Sequence, residues 1–401
     1  MASFRTSLPL RLLRMNRYSL LLGIVIVILV GLLVTYVIPT SFARRWTIVP
    51  NSHVLYRKPT HLIDRQAILI PISINQLYDY RVVCAGRDAT VSRTDLVNEL
   101  STRCHAKLNG TLKIDLHPPD DFQVRSSTTA TYAARWSKTE RCSIFDNETI
   151  AIIIPYRDRA KNLQLLLYNL IPLLHRQEIH NYKIFVIEQE APGAFNKGRL
   201  YNRAFAHLMA TYRPTCVIFH GKRQRCQHER CAIARFTSDV DLIAENDQNI
   251  YSCWTSSNHP IHMSAQVRFT IDGSYTPIYT FLVGGVLTIR PAAFQLLNGF
   301  SNRYFNWGGE DDDMGLRFLA KNMCVQRPIH GHYYAGSHST QERNKNRFGL
   351  LFDAVLRQDT DGLSNIDRLA SIAGTQHYPL VTWIRVTWVD GATDDDGPVL
   401  E

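Results

Sequence analysis

Residues 149–159 read TIAIIIPYRDR. The apolar run from Ile150 to Ile154 has no polar break and ends at Pro155 and a charged cluster. Such a run suits a strand buried on both faces, the usual state of a strand in a parallel sheet. NLQLLLYNLIPLLHRQ (162–177) follows with helical spacing, then YKIFVIEQE (182–190) as a second buried strand. NKGRLYNRAFAHLMATY (196–212) reads as a second helix and TCVIFH (215–220) as a third strand. This strand–helix alternation predicts an α/β, doubly wound parallel sheet, with ligands at the carboxyl ends of its strands.

The ends of the chain differ from this pattern. Residues 20–38, LLLGIVIVILVGLLVTYVI, carry no charge. At ~1.5 Å per residue a helix of that length just spans a hydrocarbon core of ~30 Å. Arg5, Arg11, Arg14 and Arg17 precede it, which keeps that end cytoplasmic and predicts an uncleaved signal anchor. The net charge of +10 is not a nucleic-acid footprint. The excess lies wholly in residues 1–45, which hold six arginines and no acid, and in the basic segment 221–238. The remainder is near neutral, so no broad basic surface for nucleic acid is expected. Eight cysteines on a lumenal chain read as disulfide candidates. The sequons at Asn109 and Asn147 are candidate N-glycan acceptors.

Three stretches carry candidate chemistry. SDVDLIAEND (238–247) places Asp239 and Asp241 on one side of an extended segment, which suits a hard divalent cation bridging phosphates; an Asx-type turn is the plainer reading. NWGGEDDDM (306–314) sets four acids behind Trp307 and a glycine pair. A solvated helix N-terminus explains acids alone, because they favour the helix dipole. It does not explain the glycines, which let a ligand approach the backbone, or the tryptophan, whose face stacks on sugars. One carboxylate there suits a general base. IHGHYYAGSHS (329–339) gathers His330, His332 and His338 as candidate metal ligands. TFLVGGVLTIR (280–290) reads as a buried strand with a bulge at its glycines. No phosphate-binding P-loop and no G-x-S-x-G elbow occurs.

IPYRDR, FNKGRLYNRAF, DVDLIAEND, VGGVLTIR, NGFSNRYFNWGGEDDDMGLR and DGLSNI occur in one order, and together the chain from Cys104 to Trp388 resembles the β-1,4-galactosyltransferase family. The resemblance implies a GT-A fold, a Golgi type II membrane protein, Mn²⁺ dependence and inverting transfer from a UDP-sugar donor to a GlcNAc-terminated glycan acceptor. It divides the chain into a cytoplasmic tail (1–19), a transmembrane anchor (20–38), a stem (39–100), a catalytic domain (101–390) interrupted at 221–238, and a C-terminal tail (391–401). It implies that Trp307 touches both sugars, Asp311 is the general base, Asp312 bonds the acceptor and Glu310 holds the donor sugar. Asp241 and His338 would ligate Mn²⁺. Pro155, Arg157, Arg159, Phe195, Lys197, Asp239, Val240, Tyr279, Leu282 and Gly309 would bind the donor or acceptor. Arg347 and Phe348 would cradle the acceptor's N-acetyl group. The resemblance pairs Cys104 with Cys142 and Cys216 with Cys253, and assigns no partner to Cys84 or Cys324.

Three departures from the family pattern matter. Leu282 stands where vertebrate-type galactosyltransferases carry a tyrosine beside the donor's 2-position. A smaller side chain leaves room for an N-acetyl group, so GalNAc transfer in β1,4 linkage is expected, with UDP-Gal as the alternative donor. Ala335 replaces a metal-ligating methionine, leaving His332 or water to substitute. Residues 221–238 interrupt the join between CVIFH and DVDL. The last two features support an alternative reading as an inactive, sugar-binding relative.

Overall fold

The computed structural model describes residues 46–48, 55–57, 94–136, 143–221, 242–253, 259–277, 282–328, 331–335 and 344–389. The expected anchor, residues 222–238 of the insertion, Cys142, Asp239, Val240, Asp241, Tyr279, His330, His338 and the 391–401 tail lie outside them. Contacts divide the chain into two units, residues 1–63 and 64–401. In the first, β1 (Trp46–Ile48) and β2 (Leu55–Arg57) form an antiparallel pair. No helix among the described residues is long and apolar enough to cross a membrane.

The second unit is built on β3 (Ile150–Tyr156), the TIAIIIP strand. It is buried along its whole length and lies between β4 (Tyr182–Gln189) and β5 (Cys216–His220), parallel to both. Successive side chains of a strand alternate faces. Ile150, Ile152 and Ile154 accordingly join one apolar cluster, while Ala151 and Ile153 join another. Helix α3 (Ala160–Arg176) covers the first face with Leu163, Leu166, Leu167, Leu170 and Leu174, the i, i+3, i+4 stripe of an amphipathic helix. Helix α4 (Lys197–Thr211) covers the second with Leu200, Ala204 and Leu208. Two shorter helices, α1 (Thr94–Arg103) and α2 (Thr129–Trp136), precede β3; α1 runs through position 100, where the sequence reading ends the stem.

The full sheet has seven strands in the order β12-β13-β4-β3-β5-β10-β7. It is mixed, not wholly parallel as the alternation predicted. Strands β12 (Ala370–His377) and β13 (Thr382–Trp388) form a hairpin closed by Tyr378 N–H donating to the Val381 carbonyl at 2.9 Å, and a tight turn permits only antiparallel pairing. A bulge between Ile372 and Gly374 interrupts β12. On the other side β10 (Val286–Ile289) runs antiparallel to β5 and to β7 (Ile261–His262). Between β5 and β10 the described residues contribute β6, β8 and β9 to a second sheet, ordered β6-β11-β8-β9. Its strands are β6 (Leu242–Ala244), β8 (Gln266–Arg268), β9 (Thr276–Pro277) and β11 (His332–Ala335). Helices α5 (Pro291–Leu296), α6 (Glu310–Ala320), α7 (Arg347–Phe352) and α8 (Ile366–Leu369) complete the unit.

The predicted strand 280–290 is shorter than expected. Gly284 and Gly285 precede β10 instead of forming a bulge within it, because Gly285 at φ +100° leaves the extended region. A disulfide joins Cys216 to Cys253, as the resemblance implied. Cys104 is also disulfide-bonded, and so is Cys324, which the sequence left unassigned.

A candidate active site at the acid run

Four elements meet at one end of the large sheet: β5, the glycine pair before β10, the loop before α4, and the N-terminus of α6. Gly221, just past β5, donates its N–H to the Gly285 carbonyl at 2.9 Å. His262 and Ser264 grip the same turn from beneath. His262 Nε2 lies 2.6 Å from the Gly284 carbonyl oxygen, and Ser264 Oγ accepts from Val286 N–H at 3.0 Å. Leu282 is 3% exposed, and its carbonyl accepts from Arg327 at 2.8 Å.

The loop before α4 is held by Asn196. Its side chain caps the helix by accepting from Arg199 N–H at 2.9 Å and donates to the Asn302 carbonyl at 2.7 Å. Phe195 accepts from Asn306 N–H at 2.8 Å, bringing the FNK segment to the Trp307 segment. Sequence reasoning passed over Asn196, although asparagine before a helix is a recognised capping signal.

The four acids then take four different environments. Helix α6 starts at Glu310, with Gly309 at φ +106° as its cap. A Cβ at Gly309 would meet the Tyr304 ring at 2.5 Å, so glycine there is structural as well as permissive. Glu310 and Lys197, both buried, form an ion pair at 2.5 Å through Oε1. The other oxygen, Oε2, is buried with no hydrogen-bond partner among the described residues. Asp311 faces Gly284, where an added Cβ would lie 2.0 Å from Oδ2. Its carboxyl sits well above the usual carboxylate range: burial is the main cause, the Glu310 and Asp312 charges add to it, and Lys197 opposes it. Asp312 is half-exposed.

Asp313 is fully buried and structural. It accepts from Arg317 at 2.6 Å, from Arg357 at 2.6 Å and from Tyr304 Oη at 3.1 Å. Burial pushes its carboxyl up, against the pull of the two guanidinium groups. The solvated-helix-end reading of these acids therefore fails at Glu310 and Asp313, both of which are buried. Arg317 lies within the same quoted motif and Asp361 opens DGLSNI, but neither was read as a partner of the acid run; Arg357, 44 residues from Asp313, lies in a segment without motif character.

Across the mouth of the site lies α7. The Arg347 guanidinium stacks over the Trp307 ring at 5.3 Å and the Phe348 ring at 4.6 Å. Asn344 N–H donates to the Trp307 carbonyl at 2.8 Å. Phe348 is 70% exposed. Arg157, expected at a phosphate, braces the loop after β4 by donating to the Gly193 carbonyl at 2.7 Å. Pro155 is buried inside β3, and Arg159 is the residue preceding α3. Asn109 and Asn147 are both exposed.

Of the donor set expected for Mn²⁺, the carboxylate is the type that suits that ion, while imidazole is shared with other transition metals. Strands β6 and β11 pair Leu242 with Ala335; Asp241 and His338 lie outside the described residues. The His332 ring stacks on Tyr275 at 4.2 Å. Among the described residues the sole tight group of metal-type side chains is Glu148, Cys216 and Cys253, whose sulfurs are already joined to each other. A cavity of about 390 Å³ lined by His175, His180, Tyr182 and Tyr378 lies at the amino ends of β3 and β4, remote from the acid run.

The acid run, the glycine turn and the tryptophan meet at one end of an α/β sheet, the end where such folds bind ligands. Comparison with known proteins gives the family. The model for the N-terminal region of glycosyl transferase group 7 matches residues 102–254, and that for the N-terminal domain of galactosyltransferase matches 270–339. Beta-1,4-galactosyltransferase 4 of Cricetulus griseus is 31% identical over 324 residues, covering 78% of this chain and 85% of that protein. Beta-N-acetyl-D-glucosaminide beta-1,4-N-acetylglucosaminyl-transferase of Lymnaea stagnalis is 39% identical over 193 residues, covering 48% of this chain and 34% of that protein. The catalytic domain of Drosophila beta1,4galactosyltransferase 7, solved with xylobiose, superposes with a TM-score of 0.44 at 24% identity, covering 60% of this chain and 94% of that one. The chain belongs to the β-1,4-galactosyltransferase family of group 7 glycosyltransferases and is a UDP-sugar-dependent β-1,4-hexosyltransferase.

Proposed function

We propose that this enzyme transfers GalNAc from UDP-GalNAc in β1,4 linkage to terminal GlcNAc of a glycan, with inversion, as a type II membrane protein of the Golgi. The observation that carries the sugar site is the Glu310 Oε2 oxygen. A buried carboxylate oxygen without a partner calls for a hydrogen-bond donor. A sugar hydroxyl supplies one, beside the Asp311 carboxylate and the Trp307 ring. Asp311 then takes the proton of the acceptor hydroxyl as that oxygen forms the new glycosidic bond and UDP departs. A carboxyl held above its ordinary range is a stronger base once ionised, which suits this task. Lys197 fixes Glu310 through Oε1 and leaves Oε2 for the donor sugar. Mn²⁺, held by Asp241 and His338, would offset charge on the UDP leaving group.

The donor choice rests on Leu282, two residues before the glycine that Asp311 faces. The Lymnaea relative is named for N-acetylglucosamine transfer, which supports room for an N-acetyl group in this family's donor site. The test supplies UDP-GalNAc, UDP-Gal and UDP-GlcNAc separately to the purified chain, with Mn²⁺ and a GlcNAc-ended acceptor. GalNAc transfer should dominate, and Leu282→Tyr should shift the Gal/GalNAc ratio by roughly 10–200-fold toward Gal, the range expected for filling an apolar pocket. Dominant Gal transfer by the unaltered chain, with no shift on substitution, would sink the GalNAc reading. Binding of GlcNAc-ended glycans without transfer from any of the three donors would instead mark a sugar-binding relative.

A further inference from the structure

We propose that Arg357 is a positioning residue for acceptor use, tying the acceptor-side helix α7 to the buried base of the acid run. The inference rests on the proposed transferase reading for its kinetic form. Its physical basis is one guanidinium that serves three segments at once. Arg357 Nη2 donates to Asp313 Oδ2 at 2.6 Å and to Tyr304 Oη at 3.1 Å, both beneath the start of α6. Nε donates to Asp361 Oδ2 at 3.0 Å, and Asp361 in turn accepts from Ser301 Oγ and, at 2.8 Å, from Asn302 N–H. Nη1 reaches back to the Leu350 carbonyl and the Asp353 carboxylate, within and just after α7. The ring of Tyr304 lies under the same guanidinium and fills the space beside Gly309.

The two ends of α7 are thus fixed by different means. Its first residue, Arg347, rests on Trp307 and against Gly308 and Gly309, at the place where substrates are expected. Beyond its far end the chain is fixed through Arg357 to the fourth acid of the run. Asp313 keeps Arg317 and Tyr304 when Arg357 is lost, so α6 retains its buried anchor, whereas α7 loses the guanidinium bonds to the Leu350 carbonyl and the Asp353 carboxylate. A planar fork that satisfies five partners cannot be replaced by a lysine, which offers a point charge. Loss of Arg357 should therefore loosen the acceptor side while leaving the donor side in place.

The experiment uses the full chain with Arg357→Met and Arg357→Lys. KM for the acceptor, KM for the UDP-sugar, and hydrolysis of the UDP-sugar without acceptor are measured in each. Arg357→Met is expected to raise the acceptor KM by about tenfold or more, the scale of a small misplacement in an active site, with donor KM and hydrolysis unchanged. Arg357→Lys should fall between. An unchanged acceptor KM overturns the proposal, and so does a proportional fall in transfer and hydrolysis at constant KM, which signals only fewer folded molecules. Should Arg357→Met not fold, Arg357→Lys decides by the same criteria. Tryptic cleavage after Arg347 reads the positioning without any sugar chemistry. Cleavage there should be faster in the variants, and equal rates overturn the proposal even if the unaltered chain transfers no sugar. An unaltered chain that turns over no UDP-sugar defeats the transferase reading instead.

Discussion

Asp311 and Gly284 form the closest approach in the site, and each constrains the other. No side chain fits at position 284 while the carboxylate stays where it is. Gly284→Ala should displace Asp311 and cut kcat by about 10²-fold, with far less effect on the melting temperature. Steady-state kinetics beside thermal unfolding of the same variant checks both parts. The raised pKa of Asp311 has an opposite consequence for stability. A carboxyl whose folded pKa exceeds its unfolded value stabilises the protein while it holds its proton, and that contribution is lost as pH rises through the folded pKa. Once ionised, the group is therefore a burden on the fold. Asp311→Asn should lower kcat by roughly 10²–10⁴-fold, yet raise the melting temperature at pH 7 in the absence of donor. The gain should shrink as pH falls into the carboxylate range; a variant equally stabilised at every pH would exclude the ionisation as its source. The acid run was visible in the sequence, but its division was not. Four adjacent carboxylates look alike in one dimension, and only the partners distinguish them: Lys197 for Glu310, a glycine for Asp311, and two arginines for Asp313.

At the scale of elements, apolar periodicity was the reliable guide. The β3, β4 and β5 strands and the α3 and α4 helices lie where the alternation placed them, because each carries an unbroken run or a clear stripe. Strands β6 to β9 and β11 are two to four residues long and were not legible, since segments so short have no period to read. The direction of β10 was likewise hidden: a strand's sequence does not state which way it enters a sheet. The Cys216–Cys253 disulfide does for this region what long elements do elsewhere. It closes a loop with a sequence separation of 37, anchoring the start of β5 to the chain beyond β6. Constraining the unfolded chain over such a loop is worth about 4 kcal/mol. Cys216→Ala combined with Cys253→Ala should lower unfolding stability by that order in a urea titration, without a loss of secondary structure in the folded baseline.

For the molecule as a whole, the +10 net charge belongs to two segments outside the described residues, apart from Gly221 at the edge of the insertion. The site itself is acidic and internally compensated by Lys197, Arg317 and Arg357. The large sheet also ends in a particular way on each side. At one end β7 is two residues long and is met by a bridge from Ile261 to Gln326. At the other, β12 runs for eight residues with most of its second half exposed. Among the described residues no strand pairs with its outer side, and a long edge of this kind is a template on which a neighbouring chain can add a strand. The bulge between Ile372 and Gly374 breaks the regular spacing of the unpaired backbone groups along that edge. An edge whose hydrogen-bonding groups are out of step is a poorer template for an added strand than a regular edge of the same length, so the bulge disfavours edge-to-edge pairing of two copies through β12.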